Sequence, residues 1–293
     1  MATEISYART KSNEVNMKKF LILIAAFLAF TGVRSVKAWS GFTHAYSVYI
    51  AEQNLTPEAK KMCRHYLRHT LAYYASWMDH WKGADAFKSV NARHSVMTTA
   101  DGKGIDFAFD EYGKPYGVTP GECMGYLRDA IEELGEGKYK NLPDSLVRQR
   151  LINMVHYVAD MHCPAHVNFP KNLYPNFVND KKIKMQNGKM ESFHTFWDCL
   201  PQQGRRSWLI EDCAKNLNKA SRKQIKEWQS GTLEDWGRDI AEAGYIAYDM
   251  FLNKSAISDF TPEELEKASA LVEKMAVMSA YRLAQVLNTI FKY

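Results

Sequence analysis

The sequence predicts an all-α protein built as one helical domain with long loops. Helix-capping residues stand ahead of apolar residues at helical spacing, β-prone runs are short and rare, and no linker-like stretch divides the chain. The chain has 293 residues, of which 46% are hydrophobic and 13% aromatic, so it can bury a substantial core. We therefore expect one domain over residues 39–293, preceded by a separate N-terminal region, residues 1–38.

The N-terminal region has the pattern of a secretory signal. Two lysines precede an apolar run, residues 20–30, which is shorter than the roughly 20 residues needed to span a bilayer. Val36 and Ala38 occupy the small-residue positions before a cleavage site. Met17 is an alternative start, and a buried N-terminal helix is the alternative structure. Cleavage after Ala38 predicts an exported protein, periplasmic or secreted.

The net charge of +5 comes mainly from this N-terminal region. Residues 1–38 hold six basic and two acidic residues, whereas the remainder holds 32 basic and 31 acidic residues. A domain without excess positive charge is not expected to bind duplex DNA through many phosphate contacts. No later stretch predicts stable membrane insertion, and no protein partner can be inferred.

Capping residues and periodicity place five helices in the mature chain, separated by two loop regions. Residues 98–118 are rich in glycine, aspartate and threonine, and residues 167–190 predict a long loop with room for one hairpin at Asn187-Gly188. The helices are predicted from Thr56-Pro57 towards Trp77, from Thr119-Pro120 to Gly135, from Pro143-Asp144 to the break at Pro164, from Leu233 to Leu252, and from the Thr261–Glu264 capping box to Ile290.

The five cysteines do not define a metal site. Export permits disulfides, but an odd number leaves at least one thiol unpaired within the chain, and the spacings do not match a thiolate zinc site. The cysteines are Cys63, Cys123, Cys163, Cys199 and Cys213.

The densest chemical signal is the segment HYVADMHCPAH, residues 156–166. His156 and Asp160 are four residues apart and share a helix face, and Pro164 ends the helix so that His166 can turn back. Imidazole and carboxylate groups are suitable zinc ligands. The alternative for one such pair is an exposed hydrogen-bonded pair on a helix surface.

Two further segments carry the same residue types. In FHTFWD, His194 and Asp198 repeat the spacing of four residues. In WSGFTH, Trp39 is the predicted first residue of the mature chain and His44 follows five residues later. A free α-amino group titrates near ~8, so a metal can displace its proton. The alternative is that Trp39 is simply an apolar residue beside the cut.

Weaker signals lie between these segments. Asp79 stands in SWMDHWK and His94 in NARH, and neither is distinctive alone. His65 and His69 are expected at exposed helix positions. The remaining two histidines, His80 and His162, have no assigned role. His162 is predicted to lie on a different helix face from Asp160, so its loss is expected to leave metal content and rate near wild type.

In combination these residues resemble the zinc-dependent type I nucleases, the S-one/P-one kind, which are related to bacterial zinc phospholipase C. The resemblance lies in the order: an N-terminal Trp with a His five residues on, then Asp, His, His-x-x-x-Asp, a His after a proline, and a second His-x-x-x-Asp. A WGRD segment at Trp236 and YRLAQVLN, residues 281–288, extend it over essentially all of residues 39–293.

The resemblance implies phosphodiester hydrolysis in an all-α domain with long loops around a trinuclear zinc cleft. Asp79 would also orient or deprotonate the nucleophile, and Lys82 would contact phosphate unless it is an ordinary solvated lysine. The implied ligand sets are Trp39, His44 and Asp160 for one zinc ion; Asp79, His94, His156 and the bridging Asp160 for the second; and His166, His194 and Asp198 for the third.

Several positions depart from the family pattern. Ser95 and Met97 replace the aromatic and acidic residues that help to hold the base, and a Gly-Gly-Asn segment is absent from residues 167–193. Ser40 and Thr43 replace glycines around the N-terminal ligands. The metal ligands survive these changes, whereas the residues that would hold the base differ.

Three functions therefore remain open. The first is a nuclease or nucleotidase acting on single-stranded nucleic acid or nucleotides. The second is a phospholipase-C-like enzyme, against which stand the short gap from Trp39 to His44 and an aspartate, Asp198, where phospholipases tend to have glutamate. The third is a zinc-binding helical protein without turnover, against which stands the full set of implied ligands.

Overall fold

A computed structural model describes residues 41–81, 94–107, 123–170, 172–174, 181–202, 205 and 207–293. Within these residues the chain is mostly helical, as the sequence predicts. The α-helices are α1 (Gly41–Gln53), α2 (Pro57–Leu67), α3 (Leu71–Tyr74), α4 (Trp77–Trp81), α5 (Cys123–Leu134), α6 (Asp144–Asp160), α7 (Phe193–Cys199), α8 (Ile210–Leu217), α9 (Arg222–Gln229), α10 (Leu233–Phe251) and α11 (Pro262–Ile290).

The first predicted helix is broken into three, which corrects the expectation of one helix from Thr56 towards Trp77. Arg68 has a φ of 66° and ends α2 in the left-handed conformation, where its N–H donates to the carbonyl of Arg64. The Tyr74 hydroxyl then donates to the Leu67 carbonyl at 2.6 Å and holds the broken turn. The break redirects the chain into α4, the helix that carries Asp79.

The other predicted helices agree more closely with the helices in the structure. Helix α6 ends at Asp160, ahead of Pro164, and α10 covers nearly the predicted range. The capping box of α11 is confirmed: the Thr261 side chain accepts from the Glu264 N–H, and the Glu264 carboxylate accepts from the Thr261 N–H. The predicted start at Thr119-Pro120 lies outside the described residues, and α5 ends at Leu134 as expected.

The long helix α11 forms the centre of the core. It packs against α1, α6, α9 and α10, and its second half is almost entirely buried. The sequence patterns did not predict α1, α7, α8 or α9. Helix α1 matters most for the site, because it contacts both α11 and α6 and carries His44 into the buried interior. No described helix is long and apolar enough to cross a membrane.

Four short strands form two pairs. Strands β1 (Val96–Met97) and β2 (Val167–Asn168) are parallel, with Val96 opposite Val167. Strands β3 (Lys182–Lys184) and β4 (Met190–Ser192) are antiparallel and enclose the Asn187-Gly188 turn, so the predicted hairpin is confirmed. The described part of the loop over residues 98–118 contains only a Thr98–Ile105 bridge, in agreement with a loop.

The β1–β2 pair fixes two segments side by side. His94 lies two residues before β1, and His166 directly precedes β2, so strand pairing draws the two histidine segments together. Helix α10 supports this pair from one side, since a Cβ on Gly244 would lie 2.7 Å from the Val167 side chain. Only glycine allows this close approach of the helix to β2.

Candidate metal centre

The described candidate ligands come from six separate segments and meet in one connected cluster. His44 lies on α1, Asp79 on α4, and His156 and Asp160 on the last turns of α6. The remaining members are His94 before β1, His166 in the turn Pro164–His166, and His194 and Asp198 on α7. We call His44, Asp79, His94, His156 and Asp160 the Asp160 centre, and His166, His194 and Asp198 the Asp198 centre.

The carboxylate of Asp160 stands between two groups of imidazoles. Oδ1 lies 3.1 Å from His44 Nε2 and 3.4 Å from His166 Nδ1. Oδ2 lies 3.0 Å from His156 Nε2 and 3.9 Å from His94 Nε2. The residue is 0% exposed, and neither oxygen makes a hydrogen bond of good geometry within the described part of the chain. A fully buried carboxylate that accepts no well-formed hydrogen bond requires a cation or shared protons to compensate its charge.

His156 shows why a cation suits this position. Its Nδ1 lies 2.7 Å from the Ala75 carbonyl oxygen, which can only accept, so Nδ1 carries the hydrogen. In the neutral ring Nε2 then presents a lone pair to Asp160 Oδ2, 3.0 Å away. Two facing lone pairs need a cation or a proton between them. A backbone carbonyl that fixes the ring tautomer is a common outer partner of a metal-ligating histidine.

Asp79 extends this centre towards solvent. Its Oδ1 lies 3.8 Å from both His94 Nε2 and His156 Nε2. The side chains of Asp79 and His94 are 12% and 14% exposed, whereas those of His44, His156 and Asp160 are completely buried. The open side of the Asp160 centre is therefore at Asp79 and His94.

The Asp198 centre adjoins the first one through His166. The Nδ1 of His166 faces Asp160, while its Nε2 lies 3.6 Å from Asp198 Oδ1 and 2.9 Å from His194 Nε2. His194 Nδ1 lies 3.0 Å from Asp198 Oδ2, one helical turn along α7. The Ser192 hydroxyl caps α7 by accepting from the Thr195 N–H and so fixes the turn that carries His194.

The spacing of these atoms fits zinc. Two ligands at about 2.0 Å in a tetrahedral arrangement lie about 3.3 Å apart. The separations from Asp160 to His44 and His156, and from His166 to Asp198 and His194, fall within a few tenths of an ångström of this value. The donors are imidazole nitrogens and carboxylate oxygens, which zinc prefers. The residues present therefore fit the metal that the resemblance implies.

The two buried carboxylates have opposite electrostatic surroundings. Burial raises the pKa of Asp160, but the charges of His156 and His166 outweigh burial and hold that pKa well below its usual range. For Asp198 burial prevails over the opposing effect of His194 and raises the pKa to about 7. At His156, burial lowers the pKa, but the carboxylates of Asp160 and Asp79 prevail and raise it.

Two predicted site residues cannot be placed. Trp39 and Lys82 lie outside the described residues. Helix α1 begins at Gly41, two residues after Trp39, and α4 ends at Trp81, one residue before Lys82.

The structure adds one residue that the ligand pattern missed. The Cys163 thiol is fully buried and donates a hydrogen bond to Asp198 Oδ1 at 3.2 Å. The sulfur, a His166 nitrogen and an Asp198 oxygen lie within 4.8 Å of one another. The sequence feature that could have identified Cys163 is its position inside the segment HYVADMHCPAH. All five cysteines are free, buried thiols.

His162 faces α11 rather than either centre, in agreement with the predicted difference in helix face. It is fully buried, and its Nδ1 lies 2.7 Å from the Val158 carbonyl, so its Nε2 accepts from Arg282 Nη1 at 3.0 Å. Burial and the charge of Arg282 lower the pKa of His162 well below its usual range. Loss of His162 is therefore expected to lower the stability of the fold, while the expectation that metal content and rate stay near wild type remains a prediction.

Arg282 is buried in α11, and its guanidinium group contacts several neighbouring residues. Besides contacting His162, it donates to the Trp228 carbonyl and to Asp239, and its guanidinium lies 4.9 Å from the Trp236 ring centroid. The sequence feature that could have indicated a buried, hydrogen-bonded arginine is its position within the apolar segment YRLAQVLN. The other three unassigned histidines, at positions 65, 69 and 80, are exposed.

Comparison with known protein families matches residues 39–292 to the family described as S1/P1 Nuclease. Comparison with individual curated proteins finds no match. The match covers most of the chain and all of the segments that form the two centres, and it agrees with the family indicated by the order of the ligands. The chain therefore belongs to the S1/P1 nuclease family, whose activity is the hydrolysis of phosphodiester bonds.

Proposed function

We propose that this protein is an exported, zinc-dependent nuclease or nucleotidase that acts on single-stranded nucleic acid or nucleotides. The observation that carries this proposal is the carboxylate of Asp160, whose two oxygens face different imidazoles, His44 on one side and His156 on the other. A carboxylate in this position is suited to bridge two metal ions.

The proposed metal ligands form three sets. The Asp160 centre would hold two zinc ions and the Asp198 centre a third. The first ion would be bound by Trp39, His44 and Asp160; the second by Asp79, His94, His156 and Asp160; the third by His166, His194 and Asp198. Bound zinc supplies Lewis acidity, which activates water and stabilises charge on phosphate oxygens.

The protein groups have separate tasks in this proposal. Asp79 is partly exposed and lies 3.8 Å from two imidazoles, so its carboxylate can orient the attacking group and accept its proton. The Ala75 carbonyl keeps the reactive nitrogen of His156 directed at the cluster. Lys82, which follows α4, is proposed to contact substrate phosphate.

The substrate class rests on family membership and on charge. The nearly balanced charge of residues 39–293 disfavours tight binding of duplex DNA and leaves phosphate recognition to the metal cluster. Ser95 and Met97, at positions where the family uses other residues to hold the base, favour low base selectivity. We further propose that residues 1–38 are removed, so that Trp39 presents a free amino group; the family match also begins at residue 39.

The test uses one preparation of mature protein that begins at Trp39. Its zinc content is measured, and turnover is assayed on denatured DNA, RNA, nucleoside 3′-phosphates and phosphatidylcholine, with and without chelator. We expect about three zinc ions and chelator-sensitive hydrolysis of the nucleic acids or nucleotides. Hydrolysis of phosphatidylcholine alone would indicate a phospholipase, and bound zinc without turnover would indicate a non-catalytic zinc protein.

A further inference from the structure

The thiol of Cys163 is a buried group that contacts the Asp198 centre and lies outside the proposed ligand set. It lies in the turn between Asp160 and His166, with no exposed surface. Its hydrogen bond reaches Asp198 Oδ1, 35 residues away on α7, at 3.2 Å. This contact ties the turn that carries His166 to the helix that carries His194 and Asp198.

The two oxygens of Asp198 consequently differ. Oδ1 accepts from the thiol, whereas Oδ2 has no hydrogen-bond partner in the described ranges and faces His194 Nδ1 at 3.0 Å. A carboxylate held at one oxygen cannot rotate freely about its terminal bond. The orientation of the carboxylate is then fixed, with Oδ2 3.0 Å from His194 Nδ1 and Oδ1 3.6 Å from His166 Nε2.

We propose that Cys163 is a positioning residue for the Asp198 centre: its thiol orients the Asp198 carboxylate for metal and is not itself a ligand. This inference rests on the proposed function. Three donors at this centre leave the open position that a catalytic zinc requires, and a coordinated thiolate would fill it. A thiolate would also place a second negative charge beside a buried carboxylate.

The size of the effect follows from the general behaviour of outer partners. Loss of a group that hydrogen-bonds a metal ligand weakens metal binding about 10-fold to 100-fold. Cys163→Ala removes the donor, and we expect zinc at the Asp198 centre to bind at least about 10-fold more weakly. Cys163→Ser keeps a donor of similar size and should restore most of the affinity. Cys213→Ala is the matched control, because Cys213 is equally buried in α8 and belongs to neither centre.

The experiment measures zinc affinity by chelator competition for the mature wild type and the three variants, together with the absorption spectrum after cobalt substitution. We expect weaker binding of one ion in Cys163→Ala, wild-type binding in Cys213→Ala, and no sulfur-to-cobalt charge-transfer band in any of the proteins. Equal zinc binding in Cys163→Ala and wild type would overturn the inference. A charge-transfer band in wild type that disappears in Cys163→Ala would also overturn it, because the thiolate would then be a ligand.

These outcomes are separable from a failure of the proposed function. A wild-type protein that binds no zinc contradicts the proposed function itself. A wild-type protein that binds zinc and hydrolyses substrate, with Cys163→Ala unchanged in affinity, contradicts only the role of Cys163.

Discussion

The Asp160 centre and the Asp198 centre each contain one fully buried carboxylate, but the protein surrounds the two differently. Asp160 has four imidazole nitrogens within 3.9 Å, and two of these rings hold its pKa well below the usual range. Asp198 shares His166 with the first centre, accepts a thiol hydrogen bond, and has its pKa raised to about 7 by burial. Both carboxylates are fully buried, so the opposite directions of their pKa shifts reflect the different charged groups around each one.

The centres also differ in their access to solvent and in their support. His44 and His156 are completely buried on long helices, whereas the side chain of His194 is 29% exposed at the start of the short helix α7. The Asp160 centre depends on the packing of α1 and α6. The Asp198 centre depends on a turn, a capped helix and the Cys163 contact. A substitution in one centre should therefore affect that centre more than the other.

The largest effect is expected from Asp160→Asn. The variant keeps the size of the side chain but removes the charge that would hold two dications close together in a buried site. We expect loss of both ions of the Asp160 centre and a fall in phosphodiesterase rate of at least about 100-fold. The zinc ion at the Asp198 centre should remain. The prediction is checked by measuring the zinc stoichiometry and the phosphodiesterase rate of the variant. A variant that keeps all its zinc would show that Asp160 is not a bridging ligand.

Blocking the N-terminus is the next test, and it addresses the Asp160 centre alone. A protein with an added Met before Trp39, or one that retains residues 1–38, has an amide in place of the proposed α-amino ligand. We expect one zinc ion fewer and loss of most of the activity, with the Asp198 centre intact. N-terminal sequencing of exported protein checks the cleavage after Ala38. Full activity with a blocked N-terminus would exclude Trp39 as a ligand.

His162→Ala tests a buried contact outside both centres, between the turn after α6 and Arg282 on α11. The change opens a cavity and removes the acceptor of a buried Arg282 hydrogen bond, so we expect a loss of about 2–4 kcal/mol in the free energy of unfolding. His65→Ala, at an exposed position of α2, is the control and should change stability by less than about 0.5 kcal/mol. Denaturant unfolding of the zinc-loaded proteins provides the comparison. Equal stability of the two variants would mean that the buried pair contributes nothing.

The last prediction concerns the charge of Asp198 in protein stripped of metal. Because the folded pKa of about 7 exceeds the ordinary value of 3.8, the folded state favours the protonated acid. Its contribution to stability is present at low pH and is lost as the pH rises between these values, by at most about 1.4 kcal/mol per pH unit. Asp198→Asn should remove this decline, which thermal unfolding at pH 5 and pH 8 can measure. A decline of the same size in the variant would assign it to other groups.

Much of the site was predictable because helix geometry is local. A spacing of four residues places His156 with Asp160, and His194 with Asp198, on one helix face whatever surrounds them. The proline in HYVADMHCPAH correctly predicts the end of α6, and the capping box correctly predicts the start of α11. The broken helix after Leu67 was not predictable in the same way, because Arg68 adopts a left-handed conformation that its side chain does not favour.

The sequence by itself determined the types of candidate ligand, their order and the shared helix face of His156 and Asp160, since these depend on neighbours a few residues away. The tertiary structure decided which imidazoles share Asp160, which nitrogen of His156 faces the cluster, and that Cys163 and Arg282 reach residues 35 and 120 positions away. The physical reason is that hydrogen-bond partners and the charge of a buried acid depend on groups that only chain packing brings within a few ångströms.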